Sequence, residues 1–196
     1  MAVNRVVSNF RNIPLRPFMR KTGYNLLIFA SWVPAVIFFN ENIGETTKIT
    51  GASMYPYLNT SYNESRKKDL CWVNKWNPGT GLERGMLVSF WSPSHPDVLA
   101  VKRIIAIEGD RVFSRAPYPA PIADIPAGHV WVEGDNRDGN KSLDSNHYGP
   151  IPISLIQGKV THVLRPWASS GPIKWAEFRG RTKVIRGRKE DALQWA

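Results

Sequence analysis

The sequence predicts a mainly β fold, with a compact β domain behind one N-terminal transmembrane helix. Two observations carry this prediction. From residue 70 onward, short apolar runs alternate with turn signals, and the fifteen prolines and fifteen glycines favour turns and short strands over long helices. Ahead of them lies one uncharged apolar run, residues 24–39. With 196 residues, of which 42% are hydrophobic, the chain suits one domain with a short segment at each end.

Positive charge is concentrated at the two ends of the chain. The net charge is +10, yet the middle of the sequence is nearly balanced. A basic face on the folded domain is therefore not expected, which argues against nucleic acid as a partner. The one cysteine, Cys71, cannot form an internal disulfide and is expected to be a buried strand residue. The four histidines show no metal-ligand spacing, so neither a metal nor another cofactor is expected.

Residues 22–40 are predicted to form an uncleaved transmembrane anchor. Their apolar core is short for a span, but Tyr24 and Trp32 suit the membrane interfaces and the preceding flank is basic. A buried core helix is the alternative. No small-residue cleavage signal follows the run, which ends in Phe38-Phe39-Asn40. The positive-inside rule then keeps residues 1–21 on the side of synthesis or import and sends the rest of the chain across.

The elements in between follow from periodicity and turn signals. Six strands are predicted, over residues 70–74, 86–91, 98–107, 111–115, 129–133 and 158–164. The proline-rich stretch 116–127 is expected to be a loop or a sheet edge. The predicted organisation is a basic arm (1–21), the anchor (22–40), a β domain (41–170) and a basic tail (171–196), which is either a membrane-surface helix or a solvated end.

A serine and a lysine are the candidate catalytic residues. Ser53 lies in a tight turn with Gly51, directly after the anchor, and a tight Gly/Ala turn lets a substrate approach backbone N–H groups. Serine needs a base, and lysine can serve only when burial lowers its pKa. An ordinary turn at Ser53, and His147 as the base, are the alternatives.

Lys102 lies in an apolar strand that supplies this burial. With a period of two, its own face carries only apolar neighbours: Ala100, Ile104 and Ala106. Val101, Arg103, Ile105 and Ile107 share the opposite face, so Arg103, which cannot be deprotonated, is no candidate base. The alternative is an edge-strand lysine whose amine reaches water.

A third segment, residues 134–150, is a loop rich in glycine, Asp and Asn. It contains Ser142 and Asp144. Read alone, the loop is a turn stabilised by Asx hydrogen bonds. Its acidic and amide residues do not match the register of a calcium loop, and the closing glutamate is missing.

Taken together, three motifs resemble the successive boxes of the type I signal peptidase family. They are Ser53-Met54-x-Pro56, the run Lys102-Arg-Ile-Ile-Ala-Ile-Glu-Gly-Asp110, and Gly134-Asp-Asn followed by Ser142-x-Asp144-Ser145. They occur in family order and cover roughly residues 45–162. Within the family, the single anchor and the ending Ser-Asn-His-Tyr-Gly-Pro-Ile most resemble the mitochondrial inner membrane proteases of the subunit 2 type.

The resemblance implies a signal-peptidase-like β domain and a role for each site residue. Ser53 would be the acylated nucleophile and Lys102 its base, with Ser142 orienting the amine and Asp144 holding the loop. The Ser53 backbone N–H would bind the oxyanion. The chain departs from the pattern at Gly51, where bacterial members have a serine whose hydroxyl is the second oxyanion donor; Thr50 or another backbone amide is the expected substitute.

The resemblance also implies a function and partners. It indicates a serine endopeptidase that removes apolar sorting sequences from precursor proteins delivered to the mitochondrial intermembrane space. The enzyme would reside in the inner membrane bilayer, facing that space, beside a homologous subunit 1-type protease. Three alternatives stay open: a bacterial-type signal peptidase I, a self-cleaving repressor-type Ser/Lys protease, and a catalytically silent supporting subunit.

Overall fold

The computed structural model of the chain describes residues 15–60, 68–188 and 193, and for residues 15–20 only the backbone. The chain divides into two compact units, with the division between Asn40 and Glu41. The predicted basic arm up to residue 14, and most of the tail beyond residue 188, lie outside the described residues. The predicted domain boundaries therefore stay predictions.

The described part of the first unit is helical. Helix α1 spans Leu15–Asn42, and its apolar part, Lys21–Asn42, covers 22 residues. At about 1.5 Å per residue this part is roughly 33 Å long, enough for the ~30 Å of a bilayer core. Its apolar side chains are exposed, for example Phe29 at 75%, whereas a core helix would be covered. The prediction of one apolar N-terminal helix long enough to cross a membrane is confirmed.

Helix α1 begins earlier than the sequence suggested. Prolines at positions 14 and 17 disfavour a helix in the predicted arm 1–21, but the helix starts at Leu15. Pro17 lies in its first turn, where backbone N–H groups have no partner inside the helix, so proline costs little there. Pro34 lies within the helix.

The second unit is built from antiparallel strands. The main sheet has the order β1-β2-β9-β3-β4-β7-β8, with β10 added to β9, and a smaller sheet has the order β11-β5-β6. The strands are β1 (Gly44–Lys48), β2 (Leu70–Asn74), β3 (Leu87–Ser92), β4 (His95–Ile107), β5 (Arg111–Phe113), β6 (Ile122–Asp124), β7 (His129–Glu133), β8 (Ile151–Pro152), β9 (Ile156–Arg165), β10 (Gly171–Pro172) and β11 (Val184–Ile185). A short helix, α2 (Ser145–Tyr148), follows β7.

The mainly β prediction is confirmed. All six predicted strands are present, as β2, β3, β4, β5, β7 and β9, with boundaries shifted by a few residues at most. The proline-rich stretch 116–127 contributes β6, an edge strand of the small sheet, as proline predicts. Strand β1 was not predicted, because its sequence, GETTK, is polar on the face that stays exposed.

The predicted faces of β4 hold only up to Ile104. A β-bulge in the pairing with β7 lies between Ile104 and Ala106, and a bulge shifts the side-chain alternation by one residue. Beyond it, Ile107 packs with Ile104 and Ala100, while Ala106 packs with Ile105 in a different cluster. The assignment of Ala106 to the face of Lys102 was therefore wrong.

Three apolar clusters form the core of the β unit. The first joins β2, β9 and the start of β3 to the segment after β1. It contains Cys71, whose pKa burial raises to about 12, so the thiol is inert at neutral pH. The second lies between β3, β4, β7 and β9, and the third beneath β5, β6 and β7. Residues after 170 also contribute: Ile173 is buried in the first cluster.

Close packing of β9 against its neighbours gives a stability prediction. A Cβ on Gly158 would overlap the Val73 side chain and lie 3.0 Å from the Asn74 carbonyl oxygen. Gly158→Ala should therefore lower the free energy of unfolding by about 1–3 kcal/mol, the usual cost of overpacking. The matched control is Gly139→Ala, where a Cβ meets no atom within 4 Å. Thermal denaturation in detergent compares them, and equal stability of the two variants would contradict the packing described.

Candidate active site

Ser53 lies in a turn that is held from two sides. The side chains of Met54 and Leu58 are buried in the first apolar cluster. From the other side, Asn136 donates its backbone N–H to the Ser53 carbonyl (3.0 Å) and its amide to the Ala52 carbonyl (2.7 Å). Ser53 is half-buried, and no acceptor among the described residues takes its backbone N–H. The turn is fixed while its serine stays accessible.

Gly51 has a backbone conformation that favours glycine. Its φ is 86°, and its carbonyl accepts a hydrogen bond from the Asn59 side chain at 2.8 Å. A residue with a Cβ adopts this left-handed region at a cost of roughly 1–2 kcal/mol. A serine at position 51 would therefore strain this turn.

Lys102 is buried in β4, with 5% of its surface exposed. Burial lowers the pKa of its amine from 10.5 to about 8, although the carboxylates of Asp144 and Asp135 act to raise it. Among the residues that the structure describes, no carboxylate lies within the 4.0 Å of an ion pair with this amine. An appreciable fraction of Lys102 is therefore neutral near pH 8.

Ser53 and Lys102 line the same groove, which has a volume of about 480 Å³. One wall is the end of β1 with the residues that follow it, 47–50. The other wall is the segment 98–102 of β4, and Leu143 reaches in from the loop after β7. Apolar side chains such as Val98 and Leu143 remain exposed there.

Gly134 lies between Ser53 and Ser142. A Cβ on Gly134 would lie 2.6 Å from the Ser53 carbonyl oxygen and would overlap the Ser142 hydroxyl. The preceding residue, Glu133, pairs with Arg103, the neighbour of Lys102 in β4. The structure therefore brings Ser53 and Ser142 together at the end of β7, where β7 pairs with β4 next to Lys102. Only a glycine fits between the two serines.

Asp144 organises the loop that carries Ser142. The Ser142 hydroxyl donates to the carboxylate at 2.7 Å, and the Gly134 N–H donates to the same oxygen at 3.1 Å. The backbone N–H and side chain of Asn146 both donate to the other oxygen, each at 3.1 Å. The residues after Gly134 are thus tied to those after Ser142. Asn146 is therefore part of the same network.

Arg103 lies on the opposite face from Lys102, as predicted, and is 1% exposed. Its guanidinium forms a bidentate ion pair with Asp135, with an N–O distance of 2.6 Å for the shorter bond. It also stacks on the rings of Tyr57 (4.5 Å) and Phe178 (4.2 Å). This buried cation fixes the loop that follows β7.

The histidines occupy other places. His147, the alternative base considered from sequence, lines a neighbouring cavity with its Nδ1 4.0 Å from the Asp144 carboxylate. His95 does line the Ser53 groove, but it is exposed at the start of β4, seven residues before Lys102. At ~3.3 Å per residue that is roughly 23 Å along the strand. A lone exposed histidine carries no signal that sequence reasoning could use.

Comparison with known proteins shows the family to which the chain belongs. Residues 22–118 and 113–167 match the family described as signal peptidase, peptidase S26. The chain therefore belongs to this peptidase family. It is 34% identical over 180 residues to mitochondrial inner membrane protease subunit 2 of Schizosaccharomyces pombe, covering 88% of this chain and 97% of the relative.

Further relatives include both subunit types of the same protease. Identity to subunit 2 of Saccharomyces cerevisiae is 35% over 170 residues, covering 85% of this chain and 88% of the relative. Identity to subunit 1 of Mus musculus is 35% over 134 residues, covering 67% and 75%. The protein is thus similar to membrane proteases of the mitochondrial inner membrane.

Burial of the Lys102 amine predicts a pH-dependent stability effect. Its pKa in the folded protein is below its ordinary value, so the unfolded chain binds more protons between about pH 8 and 10.5 and stability rises with pH across this window. Lys102→Met removes the buried charge. It should stabilise the protein at pH 7 by about 3 kcal/mol, at 1.36 kcal/mol per pKa unit.

The measurement is thermal denaturation of wild type and Lys102→Met side by side from pH 7 to 10.5. The difference in melting temperature should shrink as the pH rises through 8. A variant that is less stable than wild type at pH 7 would show that the amine is not desolvated.

Proposed function

We propose that this peptidase is a membrane-anchored serine endopeptidase in which Ser53 is the nucleophile and Lys102 the general base. The observation that carries the proposal is a buried lysine with a pKa near 8, without an ion pair to any described carboxylate, in the same groove as an accessible serine. Only a neutral amine can take the serine proton, and a pKa near neutrality is suited to this role.

The reaction proceeds through an acyl-enzyme. The Lys102 amine takes the proton of the Ser53 hydroxyl as its oxygen attacks the carbonyl carbon of the scissile bond. The resulting ammonium gives that proton to the leaving amine, and the C–N bond breaks. Lys102, neutral again, then takes a proton from water, whose oxygen attacks the ester carbonyl carbon. The ester C–O bond breaks, and the ammonium returns the proton to the Ser53 oxygen, which restores both residues.

The supporting residues hold the base and the oxyanion. The Ser142 hydroxyl donates its proton to a hydrogen bond with Asp144. The lone pairs of the Ser142 oxygen can then accept from the Lys102 ammonium and orient it. The free N–H of Ser53 binds the oxyanion. Gly51 has no hydroxyl, so we assign the second hydrogen-bond donor to the oxyanion to Thr50, which lines the groove.

The groove suits an extended, apolar peptide. It runs between residues 47–50 and 98–102, and its exposed apolar side chains, Val98 and Leu143, fit the sorting sequences that the family resemblance implies. We propose that precursors delivered to the mitochondrial intermembrane space are the substrates. The basic flank of helix α1 supports insertion with the β unit facing that space.

A homologous partner completes the proposal. The relatives are named as subunits 1 and 2 of one protease, and this chain is similar to both types. We propose that it assembles with a subunit 1-type protease in the inner membrane. A silent supporting role is the alternative, and a serine-acylating inhibitor distinguishes them, because only an active subunit is labelled at Ser53.

The dyad predicts the effect of two substitutions. Ser53→Ala and Lys102→Arg should each lower cleavage by at least about 10³-fold, since one removes the nucleophile and the other installs a cation that cannot act as a base. The test measures cleavage of a precursor by purified, full-length enzyme with its membrane helix. Lys159→Arg is the control, because burial also lowers the pKa of Lys159 but it lies outside the groove.

His95→Ala separates a lysine base from a histidine base. Because His95 is far along the strand from Lys102, the dyad predicts continued cleavage by this variant. Loss of cleavage in His95→Ala together with its retention in Lys102→Arg would overturn the assignment of the base.

The dyad also predicts a pH dependence. Cleavage requires neutral Lys102, so kcat/KM should rise with pH through an apparent pKa of about 8 and then level off. Rates are measured from pH 6 to 10 with a short peptide substrate that carries no titrating group. A rate that keeps climbing toward pH 10 would contradict a desolvated lysine as the base.

A further inference from the structure

Residues 173–187, which follow β9 and β10, contact the loop after β7; we call this segment the strap. At its start, Ile173 is buried in the first apolar cluster, and near its end β11 pairs with β5. Between them, the Trp175 carbonyl packs directly on Gly85, where no Cβ would fit. The strap lies beyond residue 167, where the match to the family ends. The sequence predicts only a basic tail here.

The middle of the strap contacts the loop that holds Ser53. Arg181 Nη2 donates to the carbonyl of Asn136 at 2.9 Å and to that of Asp135 at 3.3 Å. Asn136 in turn donates to the carbonyls of Ser53 and Ala52. One residue therefore separates the Arg181 guanidinium from the turn of the nucleophile.

A second contact reaches the other end of the same loop. The Thr182 hydroxyl donates to the buried Glu133 carboxylate at 2.6 Å. The other carboxylate oxygen of Glu133 accepts from Asn146 at 3.2 Å, and Asn146 also donates to Asp144. The strap thus bonds the loop where it leaves β7 and again at Asn136. Phe178 adds a third contact by covering Arg103, whose guanidinium holds Asp135.

We propose that Arg181 is a positioning residue for the Ser53 nucleophile and acts through Asn136. The guanidinium fixes the carbonyls of Asp135 and Asn136. The backbone N–H and side-chain amide of Asn136 are thereby held toward the carbonyls of Ser53 and Ala52. This inference rests on the proposed function. Small displacements of a nucleophile are costly, up to about 10²-fold in rate for ~1 Å.

The test compares Arg181→Ala with Arg179→Ala in the full-length enzyme. Arg179 lines the same cavity as Arg181, yet its side chain forms no hydrogen bond or ion pair with the described residues. Arg181→Ala should lower kcat about tenfold and leave KM within about twofold, whereas Arg179→Ala should match wild type. Arg181→Lys, which keeps one donor group for the two carbonyls, should recover part of the kcat.

Two further measurements separate positioning from folding and from the dyad itself. Titration with a serine-acylating inhibitor gives the fraction of folded, reactive sites, so kcat is expressed per active site. Hydrogen exchange of peptides covering residues 51–55 and 134–138 should become faster in Arg181→Ala and stay unchanged in Arg179→Ala. This readout does not depend on which residue is the base.

The outcomes are distinct. Unchanged exchange and unchanged kcat in Arg181→Ala would overturn the positioning role, as would faster exchange with unchanged kcat. A lower activity explained entirely by fewer titratable sites would show a purely structural role and also overturn it. Cleavage that persists in Ser53→Ala would instead overturn the proposed function, even if the exchange result holds.

Discussion

The site depends on one electrostatic constraint, which is the burial of the Lys102 amine without an ion pair to any carboxylate in the part of the chain that the structure describes. A charged ammonium in an apolar environment is unfavourable, so the folded protein favours the neutral amine. The two carboxylates that act to raise the Lys102 pKa are each bonded to other groups: Asp135 to Arg103, and Asp144 to Ser142, Gly134 and Asn146. These bonds hold both carboxylates away from an ion pair with Lys102 that would keep its amine protonated.

The loop after β7 carries the two carboxylates, Asp135 and Asp144, that are held away from Lys102. It has few apolar contacts of its own and is held instead by buried polar groups: Glu133, Asp144, Asn146 and the Arg103–Asp135 pair. Such networks fix one geometry when every member is satisfied. Here the network touches Ser53 through Asn136, Ser142 through Asp144, and the strap through Arg181 and Thr182. Ser53, Ser142 and the C-terminal segment are therefore parts of one hydrogen-bonded assembly.

Much of the fold could be predicted, because short strands leave a local signal. The strand predictions rest on apolar runs between turn residues, and β2 and β7 were placed to the residue. The candidate residues Ser53 and Lys102 could be picked out because three motifs occur in one order. By contrast, the bulge after Ile104 depends on pairing with β7, and the early start of helix α1 depends on a proline falling in the first turn. Neither leaves a pattern in the local sequence.

The strap and the role of Asn136 could not be predicted for a related reason. Arg181 and Asn136 are 45 residues apart, and an exposed arginine in a basic segment resembles any solvated residue. Asn136 was noted within its motif, but its contacts to Ala52 and Ser53 span more than eighty residues. Contacts of this kind follow from the tertiary fold.

The most direct test of the account is a titration of Lys102 itself. In full-length protein with ¹³C-labelled lysine side chains, the Lys102 Cε resonance is assigned by its absence in Lys102→Met and followed from pH 6 to 11. The account predicts an inflection near pH 8, well separated from the exposed lysines. An inflection at or above pH 10 would mean that the amine is solvated and charged at neutral pH, which would contradict its role as the base for Ser53.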